Sequence, residues 1–314
     1  NNPSIVAHSA PETDYDWTAT SGAGQINVGF SVKQIKPFRD ALYVFGDTKI
    51  KKIVVEGTAF VLQDVTNNGG LLAADSLVEI NGDLLFLAAD GFRTIAGTER
   101  NLDPELGVVS KKIQQDVTNY IAASDLPSIT GVVVRKKSQV RFFFSNENLN
   151  TSENVGVIGG LKGDADSTYW EWGLLKGIRA SCTTSAYIGN AEFVLHGDFN
   201  GKVYRQEQGN SFDGQNILSV YQTPYFDFGD VFIRKTLHKI SVFIRPEEEV
   251  MVSMAIRFDW GDQSILIPTP YPLEALAVGE LYGSGIYGDA IYATTPPPIL
   301  VTNVEGSSFS NSLT

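Results

Sequence analysis

The feature that most restricts this chain is a hairpin pattern repeated along most of its length. Runs of roughly four to eight apolar, β-branched or aromatic residues alternate with turns of Gly, Asp and Asn, the signature of paired strands. "DALYVFGDTKIKKIVV" turns at Gly46-Asp47 and "GDLLFLAADGFRTIAG" at Asp90-Gly91. "GVVVRKKSQVRFFFSNE" turns on the basic tip Arg135-Lys136-Lys137, and "AEFVLHGDFNGKVYRQ" turns between Asp198 and Gly201. Aligning the acidic or amide turn after each strong strand brings Asp47, Asp90, Asn146 and Asp198 into register. Their spacing of about 40–55 residues suits a four-stranded unit, the size of a propeller blade. A β-sandwich with long hairpins is the competing reading. Either way the fold expected is all-β.

One segment departs from this pattern. Val109, Ile113, Val117 and Ile121 recur every fourth residue, which predicts a short helix near 109–122. Ser110 is placed to cap its start, Asp125-Leu126-Pro127 to end it, and its apolar stripe to pack on a sheet edge. Composition changes near residue 230. The expected domains are therefore a β-propeller-like domain over 1–230 and a β-sandwich-like domain over 231–314. The second carries an extended arm, "LYGSGIYGDAIYATT", whose five-residue unit places Tyr282, Tyr287 and Tyr292 in register ahead of three prolines.

Composition narrows the function. The chain is 43% hydrophobic but only 19% charged, with net charge −12. A pI near 4.7 excludes a general nucleic-acid-coating surface, which would be basic. No apolar run is long enough for a transmembrane helix, so no membrane span is expected. The single cysteine, Cys182, excludes an intrachain disulfide and reads as a small buried apolar residue. The chain opens on "NNPSIV" without Met and ends on "VEGSSFSNSLT" without a closing strand, as expected of a processed chain or one that continues beyond Thr314.

The chemical motifs are weak. "GSGIYG" matches the dinucleotide fingerprint at Gly283, Gly285 and Gly288, but the pentamer repeat explains those glycines. A calcium loop from Asp198 fails because Lys202 and Val203 fall where a ligand and a glycine are needed. Asp164 and Asp166 are a slightly better acidic pair. His8, His196 and His238 have no partner at metal-ligand spacing. The expectation is no catalytic residue, no cofactor and no metal, hence no enzyme. In "TYWEWG", Trp170 and Trp172 share one strand face, suited to stacking on sugar or to packing between blades. The basic tip at Arg135 is expected to be solvated, or else to meet an acidic neighbouring subunit. The loop at Asp198 is expected to be a turn whose carboxylate binds backbone amides while Gly201 supplies a positive φ.

Three stretches carry a resemblance: "TYWEWGLLKGIRASC", "AEFVLHGDFNGKVYRQEQGNSFDGQNI" and "TPYFDFGDVFIRKTLHKISVFI". Their arrangement of turns and aromatics resembles the β-propeller tail nozzle or tail-hub proteins of short-tailed bacteriophages. The similarity spans roughly 165–295 and includes Arg234-Lys235 near the start of the second domain. It implies a structural protein of the virion tail, forming a homo-oligomeric ring, with a hexamer favoured. DNA would pass through the lumen without specific binding, and adaptor and fibre proteins would be neighbours. Trp170, Trp172, Tyr282, Tyr287 and Tyr292 are then candidate subunit-contact or stacking residues. The alternative is a carbohydrate-binding propeller acting as a receptor-binding or lectin-like module. It would expose Trp170, Trp172 or the tyrosines around a polar pocket. A glycosidase would need two facing carboxylates in a central pocket.

Overall fold

The computed structural model describes residues 2–57, 59–100, 107–150, 153–164, 167–209, 211–230, 233, 239–244, 250–258, 270–275 and 300–305. The chain divides into two compact units, Asn1–Leu218 and Ser219–Thr314. The division falls before the compositional change near 230.

The first unit opens with a hairpin, β1 (Ile5–His8) and β2 (Gly24–Asn27). Four antiparallel sheets follow, each with strands paired in sequence order. The first sheet contains β3 (Gln34–Phe38), β4 (Ala41–Phe45), β5 (Ile50–Glu56) and β6 (Ala59–Thr66). The second contains β7 (Val78–Ile80), β8 (Asp83–Ala88) and β9 (Gly91–Thr94). The third contains β10 (Thr130–Val134), β11 (Gln139–Phe144), β12 (Val155–Asp164) and β13 (Ser167–Lys176). The fourth contains β14 (Cys182–Ile188), β15 (Ala191–Gly197) and β16 (Val203–Arg205). A small hairpin, β17 (Ser211–Phe212) and β18 (Gln215–Asn216), closes the series. The fold is all-β. Asp47, Asp90, Asn146 and Asp198 each follow the second strand of their sheet, so the sequence register marks a real structural repeat.

Continuous apolar runs form these strands because the sheets lie face to face and bury both sides. In β8, Leu84, Phe86 and Ala88 pack toward the first sheet while Leu85 and Leu87 pack toward the third. In β11, Val140, Phe142 and Phe144 face the second sheet while Phe143 faces the fourth. Tyr43 and Phe45 of β4 face the second sheet, and Val44 faces the β1–β2 hairpin. Phe45, Phe86, Phe142 and Leu85 are fully buried. Burying each such side chain contributes roughly 1.5–3 kcal/mol. The leading strands of the last three sheets lie together: β10 contacts both β7 and β14.

Helix α1 (Ile95–Arg100) follows β9, and α2 (Gln114–Ala123) bridges the second and third sheets. The expected stripe is confirmed: Val117 is buried, and Val109, Ile113 and Ile121 pack against the same core. Ser110, however, does not cap the helix. Its hydroxyl accepts the Phe92 amide at 2.9 Å, tying this segment to β9, and a 3-10 turn (Lys111–Ile113) precedes α2.

In the second unit, β19 (Lys239–Ile244) pairs antiparallel with β22 (Leu300–Glu305), and β20 (Val250–Met254) with β21 (Tyr271–Ala275). The arm with Tyr282, Tyr287 and Tyr292 lies outside the described residues, as do His238, Asp166 and the Arg234-Lys235 pair.

Candidate functional site

Trp170 and Trp172 sit on β13, on the face toward the second sheet, where both are half-buried against the core. Near-parallel rings meet Trp172 from Phe92, at 5.0 Å between centroids, and from Trp170, at 5.4 Å. The Trp172 indole N–H donates to the Val109 carbonyl at 3.1 Å. On β12, Gly159 is the register partner of Trp172, and a Cβ there would come within 2.6 Å of the indole. Glycine thus leaves room for the ring to lie across the sheet. The tryptophans are packed between sheets, with the Trp172 donor already committed.

The turn at Asp198 is built as its residues predict. The Asp198 carboxylate accepts the amides of Asn200 at 2.8 Å and Lys202 at 2.9 Å. Gly201 has φ +78°. Burial acts to raise the Asp198 pKa, but the two amide hydrogen bonds, together with the charges of Arg179 and Lys202, outweigh it and hold the carboxyl below its usual range. Its acceptor capacity serves the turn.

Beside that turn lies a polar cluster that locks the third sheet to the fourth. The tip Arg135-Lys136-Lys137 is exposed, as expected, and is also tied to the fourth sheet of its own chain. Glu192 of β15 accepts the backbone amides of Arg135 at 2.7 Å and Lys136 at 2.8 Å. The Arg135 guanidinium donates to the Ser185 hydroxyl at 2.9 Å, and Lys137 forms an ion pair with Glu207. The sequence concealed this because Glu192 lies more than fifty residues downstream, on another sheet. Arg141, buried in β11, donates to the Glu207 carboxylate at 2.5 Å and to the Gln206 side-chain oxygen at 2.8 Å. Burial works to raise the Glu207 pKa, but the hydrogen bonds from Lys137 and Arg141 prevail and lower it.

His196 completes the cluster. Its ring is stacked against Tyr204 at 5.1 Å and Phe143 at 6.3 Å. Gln206 lies 3.2 Å from His196 Nδ1. Because the Gln206 oxygen accepts from Arg141, its amide nitrogen faces the histidine and donates, so Nδ1 is unprotonated. Burial lowers the His196 pKa, opposed by the charge of Asp198. These side chains hold one another, and the cluster leaves no nucleophile with an adjacent base.

Cys182 corrects its sequence reading: it is exposed. Thr183, its neighbour, points to the third sheet and meets Thr130 at 2.7 Å, so alternation turns Cys182 to the outer face of the fourth sheet. Among the described residues, no group of three His, Cys, Asp or Glu side chains is placed to hold a metal ion. No helix among them is long and apolar enough to cross a membrane. An open depression is lined by Pro37, Phe38, Arg39, Glu79 and Gly82, where the Arg39 guanidinium donates to the Gly82 carbonyl at 2.9 Å. Compared with models of known protein families and with curated proteins, the chain matches none.

Proposed function

We propose that this protein is a structural component of a bacteriophage tail nozzle, a wall subunit of a ring through which DNA leaves the virion. The observation carrying this reading is the use of its aromatic residues. Phe92, Trp170 and Trp172 stack on one another between sheets, where a lectin would present them to solvent around a polar pocket. The serial face-to-face sheets, with leading strands side by side, support a propeller-like wall domain. The net charge of −12 suits a channel that does not retain DNA, because phosphate-binding surfaces slow release. In this reading the ring is a homo-oligomer, with six copies favoured, bordered by adaptor and fibre proteins in the tail. Electron microscopy of the purified protein tests it. Closed rings with a central hole are expected; a compact monomer overturns the reading.

A further inference from the structure

One side-chain amide links the third sheet to the end of the fourth. Gln206 follows β16 and is buried. Its oxygen accepts from Arg141 of β11 at 2.8 Å, and its nitrogen lies 3.2 Å from His196 Nδ1 on β15. A guanidinium carries only donors, so the amide oxygen has to face Arg141. The amide N–H is left for the imidazole, which accepts it. The chain Arg141–Gln206–His196 is therefore satisfied in one orientation, with a neutral imidazole.

A proton on Nδ1 removes that solution. The imidazolium has two donors and no acceptor. If Gln206 stays in place, its N–H meets the Nδ1–H. If the amide turns over, its oxygen takes the imidazolium, but its N–H then meets Arg141. Either way two donors oppose each other and one link is lost. Arg141 has little to spare. It is buried, and among the described residues its Nε makes no hydrogen bond. Without Gln206, its guanidinium keeps Glu207 alone.

The surroundings single out His196 as the group that titrates. Phe143 of β11 and Tyr204 of β16 stack on its ring, and Thr183 is its register partner on β14. The Thr183 hydroxyl is turned to Thr130 and Gly131 of β10. Asp198, in the turn beyond β15, is the charge that bears on the imidazole, and Arg179 and Lys202 act on Asp198 in turn. Beyond Gln206, Glu207 is held by Lys137 and Arg141. Both carboxyls are kept below their usual range, so His196 takes up its proton before either of them as pH falls.

We propose that His196 is a proton-operated latch: its protonation breaks the Arg141–Gln206–His196 chain and loosens β16 from the body of the first unit. The opening is local. β16 has three residues and pairs only with β15 among the described strands. The bonds from Glu192 to the Arg135 and Lys136 amides, and the Thr130–Thr183 contact, hold β14 and β15 to the third sheet without His196. The latch lies within one unit of one chain and stands apart from the ring reading.

Hydrogen exchange tests it, read as protection factors between about pH 7.5 and about pH 4.5, alongside the His196 imidazole signal in nuclear magnetic resonance. The chain has three histidines, so His196→Gln identifies that signal by its loss. In the parent, the amides of β16 and Gln206 are expected to lose roughly tenfold in protection as His196 titrates, the cost of an opposed buried donor. Those of β8 and β11 are expected to keep theirs. His196→Gln is expected to hold β16 protection constant over the same interval. Gln206→Glu offers acceptors to Arg141 and to the imidazolium together, so it is expected to cancel the loss and to raise the His196 pKa. If Gln206→Glu does not fold, His196→Gln decides alone. Constant β16 protection in the parent, or an imidazole that does not titrate in this range, overturns the latch. An equal loss in His196→Gln does the same. A loss shared by β8 and β11 is global unfolding and overturns a local latch. A loss in folded Gln206→Glu equal to the parent's overturns the part given to Gln206.

Discussion

Asp198 shows how a residue that resembles a ligand can be committed to its own loop. Its carboxylate accepts two amides, two and four residues ahead. Asp198→Ala is therefore expected to destabilise the first unit by about 1 kcal/mol, read as a lower urea midpoint. This role was legible in the sequence because donors and acceptor lie within five residues, where local geometry decides. Cys182 was not legible, because its burial depends on whether another sheet covers the fourth. Neither was the Arg141–Glu207–Gln206–His196 cluster, whose members come from the third sheet, the fourth sheet and the segment that follows β16. That cluster carries a pH dependence. An unfolded imidazole titrates near 6.5, whereas burial lowers the folded pKa of His196. As pH falls through that value, the unfolded chain takes up the proton first, so stability declines until the folded pKa is reached. Thermal melts across this interval should show a steeper decline for the parent than for His196→Gln. Equal slopes would exclude His196 as the source.

At the level of elements, strands and turns were legible wherever both faces of a sheet are buried, because burial forces an unbroken apolar run. "DLLFLA" and "QVRFFF" became β8 and β11 for that reason. Helix α2 was legible from its four-residue spacing, but its start was not, since Ser110 serves β9 instead of the cap. Helix α1 is six residues long with Gly97 inside it, too short to show a period. The glycines of β12 had no visible purpose in the sequence, yet Gly159 makes room for Trp172. Gly159→Val is expected to push the indole away from Phe92, changing tryptophan fluorescence and costing about 2 kcal/mol. Trp172→Ala should cost about 3 kcal/mol by leaving a cavity against the core. Because the two residues touch, the double variant should cost less than the sum of the singles in chemical denaturation.

For the whole molecule, the repeat was readable but the manner of stacking was not, because alternating burial says nothing about which sheet covers which. The compositional change near 230 lies beyond the division after Leu218, and the apolar residues between them, Val220, Tyr221, Phe226 and Phe228, are exposed. Their exposure gives a direct expectation. Chymotrypsin should cut first after Tyr221, Phe226 or Phe228, leaving a fragment close to the first unit, identifiable by mass spectrometry. Initial cleavage confined to the β8–β11 region would contradict this order of accessibility.

The β1–β2 hairpin at the start of the stack has a consequence for birth of the protein. The four apolar clusters draw on progressively later residues, from Val6 in the first to Val194 in the last. A ribosome delivers the chain in that same order, amino end first. The finished β1–β2 hairpin leaves it before the sheets it packs against, and each new hairpin can condense on a surface already in place. Only the newest face is uncovered at any moment, and when translation has passed Arg205 that is the face of the fourth sheet.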